Sequence, residues 1–266
     1  MFEWNAEQYS TFQKERTYPA IDLSNAIATE GPKMILDIGC GTGSSTITLK
    51  KRFPNAHIIG VDSSDDMLLS AQKNYPELEF MKLDVSRQLD VFKDKFDIVF
   101  SNACLQWIPD HMALLPKLFE LLSDNGTLAI QIPQQTKHPM QKIIKEVAES
   151  EKWKNKISEM RSFNILTEEE YYDALSALTT DLRMWETVYF HSMPSYQSIV
   201  EWYKGSGLRF YLDQLNGDDA AEFENDLLAE IKKAYPVQAD GNIIFRFPRL
   251  FLLANKRASE REGQCH

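Results

Sequence analysis

MILDIGCGTGSST, residues 34–46, decides the fold. An apolar run, Met34 to Ile38, leads into it and an amphipathic segment leads out, which is the pattern of a buried strand, a glycine turn and a helix start. Gly39, Gly41 and Gly43 let the backbone approach a ligand without Cβ clashes, or simply make a tight turn. A dinucleotide fingerprint needs G-x-G-x-x-G. Here the third glycine comes one place early and Ser44 stands at the sixth position, while the absence of a following G-K-[ST] excludes a phosphate-binding P-loop.

The segments beyond the turn tilt the reading toward a ligand. Residues 57–61 read as a second buried strand ending at Asp62, and residues 79–83 as a third ending at Asp84-Val85. With Asp37 in the first strand, three acids stand at three successive strand ends. An acid after the second strand of a doubly wound sheet accepts hydrogen bonds from ribose hydroxyls, and one after the third can accept from an adenine amino group. An anion at Asp37 does not help a phosphate but suits an ammonium group. The combination points to S-adenosylmethionine (SAM). The alternative is that Asp62 and Asp84 cap the segments that follow; Ser64 or Asp65 can cap the helix after Asp62, which leaves Asp62 available.

The rest of the chain fits an α/β protein. A helix is expected over about 44–52 and another over about 64–74. Residues 96–101 make a fourth strand, Asp110 caps a helix running to Leu122, and Asp124-Asn125-Gly126 turns into a fifth strand at 127–132. Such alternation predicts a parallel sheet with helices on both faces. Pro19 is expected to open a helix. Residues 138–177 look helical, 184–193 alternate like a strand, 195–238 are a helical cap, and 243–254 form a last strand that pairs antiparallel with the previous one. Pro248 marks an irregular or edge position.

Composition narrows the class. The chain has 266 residues, enough for one large α/β domain, and its net charge of −10 disfavours nucleic acid as a partner. No apolar run approaches a membrane span and the first residues lack a secretory h-region. Cys40, Cys104 and Cys265 are too scattered for a zinc site and fit a reducing, cytoplasmic setting. No metal is expected.

The motifs DIGCGTG (37–43), VDSS (61–64), LDV (83–85) and SNACLQW (101–107) resemble those of class I SAM-dependent methyltransferases. The blocks WNAEQYSTFQKERTYPA, SNACLQWIPDH, AIQIP, YFHSMPSYQSIVEWYKGSGLR and FRFPRLFLLA are similar, more narrowly, to the trans-aconitate 2-methyltransferase family, up to about Asn255. The resemblance implies a Rossmann-like, doubly wound, seven-stranded sheet, mostly parallel with an antiparallel edge strand and a helical cap. It implies one domain over 1–266, with a lid at 1–32, a SAM-binding core at 33–133 and a cap at 195–240. The implied activity is methyl transfer from SAM to a carboxylate of trans-aconitate or a similar small polycarboxylate. Another acceptor, such as a carrier-bound malonyl group or a nitrogen nucleophile, and a SAM-binding protein without turnover, are the alternatives.

Carried onto this sequence, Asp37, Gly39 and Gly41 hold the methionine part of SAM, Asp62 the ribose, and Asp84 with Val85 the adenine. Asn102 faces the methionine part, and Cys40, Ser63, Met67 and Ala103 complete the cofactor set, although Cys40 also reads as a small filler. Arg16 is a candidate for the SAM carboxylate, with Tyr9 and Phe12 closing over the cofactor; its alternative is a helix packed on the domain. An ionised carboxylate needs no general base, so no catalytic acid or base is expected. Substrate carboxylates call for cations and hydroxyls: Arg209, Arg246, Arg249, His191, Tyr189 and Tyr203. Each has a plain alternative. At least one of Arg246 and Arg249 is expected to face solvent, Arg209 can make a helix-surface salt bridge, and His191 can be structural. Trp107 can face the sulfonium or pack in the core.

Overall fold

A computed structural model describes residues 13–134 and 138–258. Tyr9, Phe12 and Cys265 lie outside them.

The elements follow the expected alternation: α1 (Gln13–Ala26), β1 (Met34–Ile38), α2 (Ser44–Arg52), β2 (His57–Asp62), α3 (Asp65–Asn74), β3 (Glu79–Lys82), β4 (Phe96–Asn102), α4 (His111–Glu120) and β5 (Leu122–Pro133). Then come α5 (Pro139–Ala148), α6 (Glu168–Ser176), β6 (Leu182–Met193), α7 (Tyr196–Lys204), α8 (Arg209–Leu212), α9 (Gly217–Ala234) and β7 (Ile243–Asn255). Local chemistry sets the helix ends. Ser64 caps α3 by accepting from Met67 N, and Asp65 and Asp66 lie in its first turn, where the helix dipole favours anions. Thr167 and Glu170 form a reciprocal capping box at α6.

The described strands form one sheet in the order β3-β2-β1-β4-β5-β7-β6. The pairs β1–β2, β1–β4, β2–β3 and β4–β5 are parallel. The direction of β7 follows from its bonds to β5. Gln134 N donates to Pro248 O and Lys256 N to Gly126 O, so one chain index rises as the other falls, and the pair is antiparallel. The β7–β6 contacts obey the same rule, with Asn255 N on Asp181 O and Trp185 stacked on Phe251. The antiparallel strand β7 therefore lies inside the sheet, and β6 is its edge.

Three local expectations change. Helix α1 runs through Pro19 instead of starting there, at the cost of one backbone bond. Residues 138–177, expected to be helical, form helices only near their two ends; the polar stretch between them has no apolar stripe and is anchored by the buried Trp153, whose Nε1 donates to Asp226. Strand β5 already pairs at Leu122 with Phe96, and residues 123–126 loop out, with Asn125 at φ 63°, before Thr127 resumes pairing with Ile98.

The chain divides into two compact units. Among the described residues, one contains residues 13–16, 133–134, 138–163 and Glu186–Arg249; the other contains Thr17–Ile132, Asn164–Trp185 and residues 250–258. The expected core at 33–133 lies in the second unit but for Pro133, and the cap at 195–240 lies wholly in the first. Each unit has its own apolar core: Leu36, Val61, Val99, Leu115 and Ile130 in the second, Trp153, Ile199, Trp202, Phe223 and Phe245 in the first.

Candidate active site

In the second unit, parallel pairing brings the carboxyl ends of β2, β1, β4 and β5 side by side. Asp37 pairs with Gly60 and Phe100, and Asn102 with Gln131. In-register partners share a face, and so do residues two apart on a strand. Asp37, Asn102 and Gln131 therefore project on the same side of the sheet.

Asp37 is fully buried. Its Oδ2 accepts from Ser45 Oγ and Thr46 Oγ1, each at 2.7 Å, so the first turn of α2 orients it. Its Oδ1 has no hydrogen-bond partner among the described residues. Burial, offset partly by the two hydroxyls, lifts its pKa to about 6. Such an oxygen suits a cationic donor.

Asp62 ties the glycine turn to the exit of β2. Its Oδ2 accepts from Gly41 N at 3.0 Å and its Oδ1 from Ser64 N at 2.9 Å. Burial raises its pKa against these backbone N–H groups. The Ser63 backbone N–H also bonds this carboxylate, which still keeps acceptor capacity for a hydroxyl. The glycines differ in what they permit. A Cβ on Gly39 (φ 68°) would lie far inside contact distance of Cys104 Sγ, whereas one on Gly41 (φ 55°) would meet nothing within 4 Å. The turn is thus closed toward β4 at Gly39 and open at Gly41.

Cys40 and Met67 are buried, Cys40 with its thiol pKa pushed up by burial, and Ser63 is exposed. Asp84 makes the local bonds expected of a capping residue, as Asp62 does with Ser64: its Oδ1 accepts from Ser86 N and Oγ, and Arg87 lies 3.7 Å from Oδ2. Val85 is buried beside it. After β4, Ala103 adopts φ 55° and Gln106 Nε2 donates to its carbonyl at 2.7 Å. Asn102 Oδ1 is buried without a partner among the described residues. Trp107 is half-buried in the short 3-10 turn Leu105–Trp107.

The first unit holds most of the expected anion-binding residues. His191, Tyr203 and Arg249 are buried together with Trp202, Phe245 and Phe247. The Arg249 guanidinium lies 4.2 Å from the Phe247 ring centre. The His191 ring sits 4.9 Å from Trp202 and nearly parallel to half-buried Tyr189. Burial first, then the charges of Arg249 and Arg16, lower His191 to about 4. Tyr203 donates to His138 Nδ1 (3.0 Å), and burial lowers His138 to about 4 as well. Both imidazoles are neutral at pH 7, so the cationic character comes from arginine. Arg16 lies 4.6 Å over the Trp202 ring and donates to its carbonyl, which is the packing alternative for that residue.

The structure places two of the candidate arginines toward the surface. Arg246 is exposed and covers the exposed Phe190 ring, because it alternates with buried Phe245 and Phe247 on β7. Arg209 faces Asp213 one turn on, at 3.6 Å, as a surface salt bridge. A cavity of about 420 Å³ lies at the other end of β1 and β2, lined by residues 27–32 and 52–56, and contains none of the expected site residues.

A family model described as a methyltransferase domain matches residues 31–182. Over 258 residues the chain is 40% identical to a trans-aconitate 2-methyltransferase of Rhodopseudomonas palustris (strain BisB18), covering 96% of this chain and 100% of that protein. The chain belongs to the trans-aconitate 2-methyltransferase family. A second relative of that name, from Yersinia pestis (strain Pestoides F), is 38% identical over 96% of this chain and 99% of its own. Among solved structures, the YcgJ protein of Bacillus subtilis superimposes with a TM-score of 0.59 at 16% identity, over 91% of this chain and 100% of that one, a likeness of fold.

As a member of the trans-aconitate 2-methyltransferase family the protein is a SAM-dependent enzyme. The residues of the second unit fit that donor: a Cβ at Gly41 would meet nothing within 4 Å, Asp37 Oδ1 has no hydrogen-bond partner among the described residues, and Asp62 retains acceptor capacity. Sequence reasoning did not single out Ser45, Thr46, His138 or Gln131. Ser45 and Thr46 were visible as hydroxyls in the first helical turn facing back on Asp37. Gln131 was visible as the polar interruption of the apolar strand LAIQIP.

Proposed function

We propose that the enzyme transfers the SAM methyl group to one carboxylate of trans-aconitate, giving the monomethyl ester. The near-full-length identity to trans-aconitate 2-methyltransferases carries this reading. SAM supplies an electrophilic methyl group on a sulfonium. In the second unit, Asp37 takes the ammonium of the methionine part, Asp62 the ribose hydroxyls, and Gly41, Asn102 and Ala103 line its path. In the first unit, Arg249 with His191 anchors a non-reacting carboxylate, beside Tyr203, whose hydroxyl proton is engaged by His138; a charge-assisted hydrogen bond of this kind contributes about 1.5–3 kcal/mol. The acceptor carboxylate is ionised at neutral pH and attacks without a base. The protein's contribution is alignment, for which about 7–11 kcal/mol is the upper range.

The test is incubation with methyl-labelled SAM and a panel of di- and tricarboxylates. A base-labile methyl ester of trans-aconitate, formed faster than any other, is expected. Absence of an ester from every polycarboxylate would sink the reading.

A further inference from the structure

Gln131 is fully buried, and neither end of its carboxamide, Nε2 or Oε1, has a hydrogen-bond partner among the described residues. It interrupts a strand whose neighbours from Thr127 to Pro133 are all buried, and an apolar side chain would fit such a place without loss. The residue therefore has a use for its polarity. Its position says which. The sheet order β2-β1-β4-β5 makes a row of strand ends carrying Asp62, Asp37, Asn102 and Gln131. Asp37, Asn102 and Gln131 share a face, and each has a buried polar atom without a partner among the described residues. The acids stand at one end of the row and Gln131 at the other. A donor held by the acids brings its far end toward β4, and β5 is the next strand.

We propose that Gln131 binds the reacting carboxylate of the methyl acceptor, its Nε2–H donating to one carboxylate oxygen. This assignment rests on the function proposed above. A carboxamide with both ends unsatisfied suits a point where an anion and a cation meet, with Nε2–H toward the carboxylate and Oε1 toward the sulfonium. A neutral donor also has an advantage over arginine there. It orients the oxygen nucleophile without neutralising the charge that makes it attack, and the cations are left to the carboxylates that do not react. In the step itself, a carboxylate lone pair forms the new O–CH3 bond while the S–CH3 pair stays on sulfur; no proton moves, and Gln131 neither gains nor loses one.

The test is Gln131→Met, of similar length and apolar, studied by steady-state kinetics and by calorimetry of S-adenosylhomocysteine (SAH) and of trans-aconitate added to the SAH complex. The expected result is a higher melting temperature, unchanged SAH affinity, and a KM for trans-aconitate raised at least tenfold, matched by weaker acceptor binding in the SAH complex. Gln131→Glu, which opposes the anion with a second one, is expected to lose more. Should Gln131→Met fail to fold, Gln131→Asn, which draws the amide back by one carbon, carries the same expectation. Wild-type KM and acceptor affinity in the folded variants would overturn the assignment, as would a loss confined to SAH affinity. Failure of the wild-type enzyme to methylate trans-aconitate would take the proposed function with it; a competent wild type beside an unaffected variant removes only Gln131.

Discussion

Asp37 shows at the level of one side chain how the site trades stability for binding. Its folded pKa of about 6 lies above the ordinary 3.8 because burial outweighs the Ser45 and Thr46 hydroxyls. A raised carboxyl pKa means that the folded state holds a proton the unfolded state has released, so this group's contribution to stability falls as pH rises from about 4 to about 6. Roughly two pKa units correspond to about 3 kcal/mol at neutral pH. His138 and His191 act in the opposite sense: their pKa values are lowered to about 4, so their contribution is complete above about 6.5 and fades as pH falls toward 4. Asp37→Asn isolates the first effect. It is expected to raise the melting temperature of the ligand-free protein at pH 8, with the gain shrinking toward pH 4.5, and to weaken SAM binding at least tenfold. Thermal melts across pH and calorimetry check both halves; a variant less stable than wild type at pH 8 would mean that the buried charge is compensated after all. In the wild type, SAM affinity is expected to decline as pH drops below about 6, where Asp37 takes up a proton.

Among elements, the glycine turn makes the sharpest distinction between folding and binding. Gly39→Ala puts a methyl group into the Cys104 side chain at a left-handed φ, a clash that backbone relaxation cannot absorb, and the variant is expected to fold poorly. Gly41→Ala keeps only the left-handed strain, about 1–2 kcal/mol, and is expected to fold yet lose SAM affinity, because its methyl group would stand on the open side of the turn. Melting curves and SAM titration separate the two, and equal binding by Gly41→Ala would place the donor elsewhere. The first five strands and the glycine turn were legible because their signal is local: apolar runs of strand length bounded by turn residues. The break at 149–167 was not, because Trp153 holds that segment by long-range burial and a bond to Asp226 that no local pattern reveals. Pro19 misled for a related reason, since packing of Ala20 and Leu23 outweighs one lost backbone bond. At the site, the acids at strand ends were readable from order alone. Which arginine is buried was not, because Arg246 and Arg249 are separated only by strand alternation and the irregular step at Pro248.

At the scale of the whole molecule, the proposed function assigns the acids that hold the donor to one unit and the arginine for a non-reacting carboxylate to the other, and that assignment can be tested by asking which parameter each substitution moves. Arg249 is 5% exposed in the first unit, against the Phe247 ring and close enough to His191 to lower its pKa. The second unit contains Asp37 and Asp62. If Arg249 anchors a carboxylate of the acceptor, Arg249→Lys keeps the charge but loses the planar fork, and KM for trans-aconitate should rise about tenfold or more, in line with loss of one charge-assisted bond. SAH affinity should stay at the wild-type value, since its contacts are assigned to the other unit. Arg246→Ala and Arg209→Ala serve as controls from the same unit, one exposed over Phe190 and the other in a surface ion pair, and both should leave KM within about twofold, because surface pairs contribute little. With His191 and His138 neutral from pH 8 down to about 5, KM should also be flat over that range. A KM that tracks Arg209 instead of Arg249, or one that rises between pH 8 and 6 as a histidine of ordinary pKa would titrate, would move the anion site out of the buried cluster and onto the surface of the cap.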